Sequence, residues 1–290
     1  MNEQNDNFIM MPTVDFCFKE LMQNPKVRKG FIAALLHVEP EMIGETILMP
    51  TILRRESEQD KLGILDVRVL MQDGTQFDME MQVTYFEYWD RRVLFYLSKM
   101  FADQLQKGEP YEKLQKCIHV SILDFNCFPD EGCYRVINFC DKKTGKIYTD
   151  LMEIQILELR KLPKEVKSGE DIIAWMRFFG GKSREEFELM AKENEYLSEA
   201  YDTLKRISAD EQKRMEYEAR EKALKDYNSQ MGSALRRGER IGWERGEKVG
   251  QERGEKRAKQ VFKLHMQGKT VEEIAEICGI DVEKVRGILE

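Results

Sequence analysis

Ile64-Leu-Asp-Val-Arg-Val-Leu70, the turn Gln72-Asp-Gly74, and Phe77-Asp-Met-Glu-Met-Gln-Val83 form the stretch whose reading decides the fold. Both flanks alternate apolar and polar residues with period two, which predicts strands over 62–71 and 75–84. Leu65, Val67 and Val69 share one face of the first strand, and Phe77, Met79, Met81 and Val83 share one face of the second. Asp66 and Arg68, and Asp78, Glu80 and Gln82, take the opposite faces.

The turn decides whether those faces coincide. A two-residue Asp73-Gly74 turn would set Asp66 against Met81 and every apolar row against a polar one. A three-residue loop with Gly74 in the left-handed conformation pairs Val67 with Met79, Val69 with Phe77, Arg68 with Asp78 in an ion pair, and Asp66 with Glu80. That register is the expected one. It puts two carboxylates on one face with Cβ atoms roughly 4.5–5.5 Å apart, where they repel unless a cation or proton lies between them. A hard divalent ion such as Mg²⁺ suits this place, because it takes oxygen ligands and keeps waters and a phosphate in its other positions. The competing reading is that Arg68 merely neutralises a solvated sheet face.

Outward from the hairpin, residues 13–37 read as helix interrupted at Asn24-Pro25, and 89–107 as a long amphipathic helix stopped by Gly108 and Pro110. Apolar runs at 117–125, 133–140 and 151–160 have strand length and are separated by turn residues. They complete a mixed sheet of about five strands in an α/β core. Beyond Pro163 the composition turns helical, at 170–179, 184–200 and 208–227. The divisions expected are a core over 1–163, a helical extension over 164–231, a charged glycine repeat over 232–258 and a small helical tail over 259–290.

Glycines 232, 238, 242, 246, 250 and 254 punctuate a segment with eight basic residues and five glutamates. Glycine costs a helix about 1 kcal/mol relative to alanine, so the segment reads either as a close-packing seam for self-association or as a charged, partly helical tether. Its charges exclude a membrane GxxxG pair. In the tail, Thr270-Val-Glu-Glu273 is a capping box, Gly279 ends that helix and Asp281 caps another. This spacing resembles helix-turn-helix modules, with only Lys284 and Arg286 as recognition-helix cations; a dimerisation or docking unit fits it as well.

With 46 basic and 53 acidic residues the 290-residue chain carries −7, which excludes a polybasic nucleic-acid coat. No apolar run is long enough to span a membrane, and Met1 to Asp6 lack the basic and apolar parts of a secretory signal, so a cytoplasmic protein is expected. The six cysteines contain no CxxC pair and are expected as reduced, mostly buried thiols. His119 lies in an apolar strand and reads as a satisfied core residue. Tyr85, Phe86, Tyr88 and Trp89 serve either to stack on unpaired bases or to pack the following helix.

Asp66, the hairpin and Glu80-Met81-Gln82 resemble the PD-(D/E)xK nuclease signature in an ExQ form. Asp15-Phe-Cys-Phe-Lys19, Arg92-Val-Leu-Phe-Tyr96, Lys107-Gly-Glu-Pro-Tyr111 and the strand from Cys117 to Phe125 resemble motifs of the Rpn-type recombination-promoting nucleases, also described as PD-(D/E)xK family transposases. The likeness extends to the glycine repeat and the tail. It implies a restriction-endonuclease-like α/β core and a cytoplasmic DNA endonuclease that uses Mg²⁺, or Mn²⁺, and promotes recombination or mobile-element movement.

Carried over residue by residue, the resemblance makes Asp66 and Glu80 the metal ligands, puts Gln82 where a lysine is usual, and makes Asp15 the acid of the first helix. The metal would bridge a phosphate oxygen and a water, lowering the pKa of the water and stabilising charge on phosphorus. Gln82 orients water but supplies no charge; Lys19 either replaces that cation or is an ordinary solvated lysine. Arg92 and Tyr96, one helical turn apart, contact phosphate, pin the carboxylates, or make a buried helix-to-sheet bond. DNA is the expected partner, with self-association through the C-terminal helices. The rival reading is a decayed nuclease that acts as an oligomerising interaction protein.

Overall fold

The computed structural model describes residues 8–53, 63–163 and 171–290. The first residues of the expected strand 62–71 and of the expected helix 170–179 lie outside that set, as do Met1 to Asp6. The chain divides into two compact units, Met1–Leu224 and Lys225–Glu290.

The first unit opens with α1 (Asp15–Gln23) and α2 (Pro25–Leu36). They are separate because Asn24 turns extended and its side chain accepts the Lys26 and Val27 N–H groups at the start of α2, with Pro25 in the first turn. Six strands follow, β1 (Thr46–Met49), β2 (Val67–Met71), β3 (Gln76–Gln82), β4 (Cys117–Leu123), β5 (Tyr134–Cys140) and β6 (Ile147–Glu158), in the spatial order β1-β2-β3-β4-β6-β5. The sheet is mixed: β3–β4 and β4–β6 are parallel, and the other pairs antiparallel. The crossover between β3 and β4 carries α3 (Trp89–Ala102).

Val67 pairs with Met79, Arg68 with Asp78 and Val69 with Phe77, the register expected from the three-residue loop. Gly74 sits at φ 87°, the Met71 N–H donates to Thr75 O at 2.8 Å, and the Gly74 N–H donates to Met71 O at 3.0 Å. Val67, Val69, Phe77, Met79 and Met81 join Ile118, Val120 and Ile122 of β4 in the main core, against Phe18 and Leu21 of α1 and Phe31 and Leu35 of α2. Leu65 departs from its expected row. The chain bends at Asp66, and Leu65 packs instead with Tyr96, Leu97, Met100 and Cys117.

The sheet has six strands rather than five, since β1 is four residues long and carries no clear alternation. It is held partly by Arg28 of α2, which donates to the Thr46 carbonyl at 3.0 Å and to Thr46 Oγ1 at 3.2 Å. β6 begins at Ile147, before the expected 151, and pairs β5 through irregularities at Asn138 to Cys140. α3 ends at Ala102 rather than 107.

The helices α4 (Asp171–Gly180), α5 (Arg184–Met190) and α6 (Glu195–Ala209) bury Trp175, Phe178, Phe179, Phe187, Leu197 and Leu204 in the same core as the sheet. The expected helix 184–200 is split because Asn194 caps a new start, accepting from Tyr196 N at 3.0 Å and Leu197 N at 2.8 Å. α7 (Glu211–Met266) then runs unbroken for 56 residues, so the glycine repeat is helical throughout.

In the second unit α8 (Val271–Cys278) begins with the capping box of Thr270 and Glu273 and ends at Gly279 with φ 60°; α9 (Val282–Leu289) is capped by Asp281. Val261, Ile274, Ala275 and Val285 form its small core. No helix among the described residues is long and apolar enough to cross a membrane.

Candidate functional site

The polar face of β3 faces away from the main core, and α3 packs nearby against Cys117 and Leu123 of β4. The middle residue of that polar face, Glu80, is 3% exposed. Arg92, in the first turn of α3, donates from Nη2 to Glu80 Oε2 at 2.7 Å and to Gln82 Oε1 at 3.4 Å. Glu80 Oε1 is buried with no hydrogen-bond partner. Burial, and then the charge of Asp78, push the Glu80 carboxyl up to about 7, against the pull of His119 and Arg92; Asp66 adds to the rise.

Asp66 stands at the bend just ahead of β2, one residue beyond the ladder. Its Oδ2 accepts the Met81 N–H at 3.3 Å, and its Oδ1 lies 2.8 Å from Lys19 Nζ. Burial raises its pKa, with Lys19 working the other way. Lys19 also reaches Asp15 Oδ2 at 3.4 Å, four residues earlier in α1. Burial disfavours its charge, but Asp66 outweighs that and holds the ammonium protonated above its ordinary range. Lys19 is thus an ion-paired side chain on Asp66 rather than an isolated solvated one.

Gln82 accepts from Arg92 and donates from Nε2 to the Thr84 carbonyl at 3.3 Å. Tyr96, a turn after Arg92, is buried beneath it, with the guanidinium 5.3 Å from the ring centroid. Phe86 lies on another side of the same guanidinium, at 5.1 Å. Arg92 therefore pins a carboxylate and an amide, while Tyr96 packs against it. Of the aromatics after β3, Tyr85 and Tyr88 are exposed, whereas Trp89 is buried against Leu123 and Ile156 with Phe86 beside it.

One expected contact is absent and one network was not foreseen. Arg68 lies across from Asp78 but donates to Gln76 Oε1 at 2.8 Å instead of forming the expected ion pair. Asp78 is taken from the other side. Asp78 Oδ2 lies 2.7 Å from His119 Nδ1, and His119 Nε2 lies 2.7 Å from Ser121 Oγ, all buried. Burial opposes charge on His119, yet Asp78 prevails and its pKa is raised. The parallel β3–β4 register sets Asp78 beside His119 and Glu80 beside Ser121; sequence reading paired β3 with β2 and left its other neighbour unassigned. The cysteines are all unpaired thiols, but only Cys17 and Cys117 are buried and Cys140 is exposed, so "mostly buried" is corrected.

Among the described residues no cluster of three or more His, Cys, Asp or Glu side chains could hold a metal. A hard divalent ion that keeps several waters needs fewer. Glu80 Oε1 has no partner and the charge of Asp66 is felt at the Glu80 carboxyl, so these two acids carry oxygens of the kind such an ion takes.

A mixed, helix-flanked sheet with these acids on its hairpin belongs to the PD-(D/E)XK class of folds. The chain belongs to the PD-(D/E)XK nuclease family transposases, whose family model matches residues 12–234. No curated protein and no solved structure matches it. Family membership supports a nuclease- or transposase-like role, in a family that generally uses divalent metals.

Proposed function

We propose that this protein is a divalent-metal-dependent DNA endonuclease, Mg²⁺ or Mn²⁺ serving as the ion, that hydrolyses phosphodiester bonds in support of recombination or mobile-element movement. The observation that carries the reading is Glu80: a buried carboxylate with one oxygen on Arg92 and the other without a partner, close enough to Asp66 to feel its charge. Asp66 and Glu80 would hold the ion, whose chemistry there would be to lower the pKa of a water and to offset charge on the phosphate. Arg92 fixes the Glu80 carboxylate and the Gln82 amide. Gln82 orients water without accepting its proton. Lys19 favours the charged form of Asp66 against the burial that raises its pKa and offers the positive charge that residue 82 lacks, and Asp15 orients Lys19.

A second reading, a non-cleaving interaction protein, is favoured by Gln82 itself and by the ion pairs Lys19–Asp66 and Arg92–Glu80, which neutralise both acids with the protein's own cations. Supercoiled plasmid with Mg²⁺ or Mn²⁺ separates the two. Nicking by the wild type that is lost in Asp66→Ala and in Glu80→Ala supports the nuclease. No nicking by the wild type, or equal nicking by the variants, leaves the interaction protein.

A further inference from the structure

β4 pairs with β6 only from Met152 onward, where Cys117 lies beside it. Ahead of that point β6 and the end of β5 have only each other, Phe139 pairing with Thr149 and Cys140 with Ile147, so the hairpin leaves the sheet as a two-stranded ribbon. It leaves at the end where β3 begins, since Gln76 is the other neighbour of Cys117, and not at the end that carries Gln82. Phe139, Ile147 and Tyr148 are exposed on it, Tyr148 at 85%.

The tip of the ribbon is a built turn. Asp141 Oδ1 accepts the Lys143 N–H at 3.0 Å, the Thr144 N–H at 2.6 Å and the Thr144 hydroxyl at 2.8 Å. Gly145, at φ 70°, donates its N–H to the Asp141 carbonyl at 2.8 Å, and the Asp141 N–H donates to the Lys146 carbonyl at 2.8 Å. Lys142, Lys143 and Lys146 are exposed, and none of their ammonium groups is ion-paired among the described residues. Three lysines and one aspartate give residues 141–146 two positive charges, on a chain that carries −7.

Two observations narrow the partner. An added strand needs a regular row of backbone groups, and β5 loses that row where its register shifts on both sides of Phe139. Unpaired lysines on a fixed turn suit a polyanion instead. The major groove of a DNA duplex admits a two-stranded ribbon, with cations on the flanking phosphates and exposed aromatic side chains against sugars and base edges.

We propose that the β5–β6 ribbon is a DNA-binding arm, Lys142, Lys143 and Lys146 neutralising phosphates while Phe139 and Tyr148 enter the groove, so that the duplex is gripped away from Asp66 and Glu80. The choice of DNA among polyanions rests on the nuclease reading; the grip itself needs no cleavage.

Fluorescence anisotropy of the full chain with a labelled duplex in EDTA, over a series of salt concentrations, tests it. Lys142→Gln/Lys143→Gln/Lys146→Gln is expected to bind about tenfold or more weakly at low salt. Its plot of log affinity against log salt should be shallower by roughly 2–3, about 0.9 for each phosphate contact removed. Tyr148→Ala is expected to weaken binding with the salt slope unchanged. Equal affinity and slope in the lysine variant overturns the proposal, even where the wild type nicks plasmid through Asp66 and Glu80. So does a wild type that binds no duplex at low salt, or a lysine variant that loses only its attachment to vesicles of an anionic phospholipid. Lysine-dependent duplex binding by a wild type that nicks nothing supports the arm and overturns the nuclease.

Discussion

A buried carboxylate with one oxygen unpaired makes Glu80 a source of native-state tension. Its carboxyl titrates near 7 instead of its ordinary 4.5, so the folded state holds the proton more tightly than the unfolded chain does. The resulting contribution is fully present below pH 4.5 and is lost as the pH rises to about 7. Urea unfolding without divalent metal is expected to show stability falling across that window by an amount of the order of 3 kcal/mol. Glu80→Gln keeps the shape, removes the titration and should flatten that part of the profile; an unchanged slope would show that Glu80 is not its origin. Arg92 acts in the opposite sense. Arg92→Ala strips the cation from a buried acid and is expected to cost about 3 kcal/mol at pH 8. Much of that loss should be recovered in the double variant with Glu80→Gln, because no charge is then left uncompensated.

The hairpin shows how far local rules reach at the scale of an element. Gly74 has φ 87°, and a Cβ there would stand 2.7 Å from Gln115 Cγ, so Gly74→Ala should destabilise by roughly 1–2 kcal/mol in a denaturant titration. A loss near zero would mean that the loop relaxes into another turn. The β2–β3 register was legible because a one-residue slip would reverse every side chain, and only one loop length matched the apolar rows. Asp66, Glu80 and Gln82 were therefore legible as one polar face, whereas Arg92 came from the family resemblance alone, with its contact left open. Two kinds of feature were not. β1 is too short to show a period, and its hold on the sheet comes from Arg28, a helical residue whose partners no local pattern reveals. The Asp78–His119–Ser121 chain depends on which strand lies on the other side of β3, a choice set by the crossover through α3. The failed Arg68–Asp78 pair has the same origin, since Arg68, the donor directly across the strands, lost the Asp78 carboxylate to a histidine on the next strand.

At the scale of the whole molecule, a chain of net charge −7 has to meet a polyanion. Long-range attraction is therefore poor, and contact depends on local cations and on charge brought by bound metal. Lys19 and Arg92 are committed to Asp66 and Glu80, so without the ion the site presents paired charges rather than a positive surface. A divalent ion held by those two acids, as proposed, would reverse this by adding two positive charges to the site. Binding of a short DNA duplex, read by fluorescence anisotropy at about physiological salt, should then be no tighter than micromolar. It should weaken about tenfold further when EDTA replaces Mg²⁺, since one displaced ion–phosphate contact is worth that order of free energy. In Glu80→Ala the response to metal should vanish, while affinity in EDTA should exceed that of the wild type because Arg92 loses the acid that neutralises it. Affinity that ignores metal in the wild type would place the phosphate elsewhere on the chain and remove the acid pair from the path of the DNA.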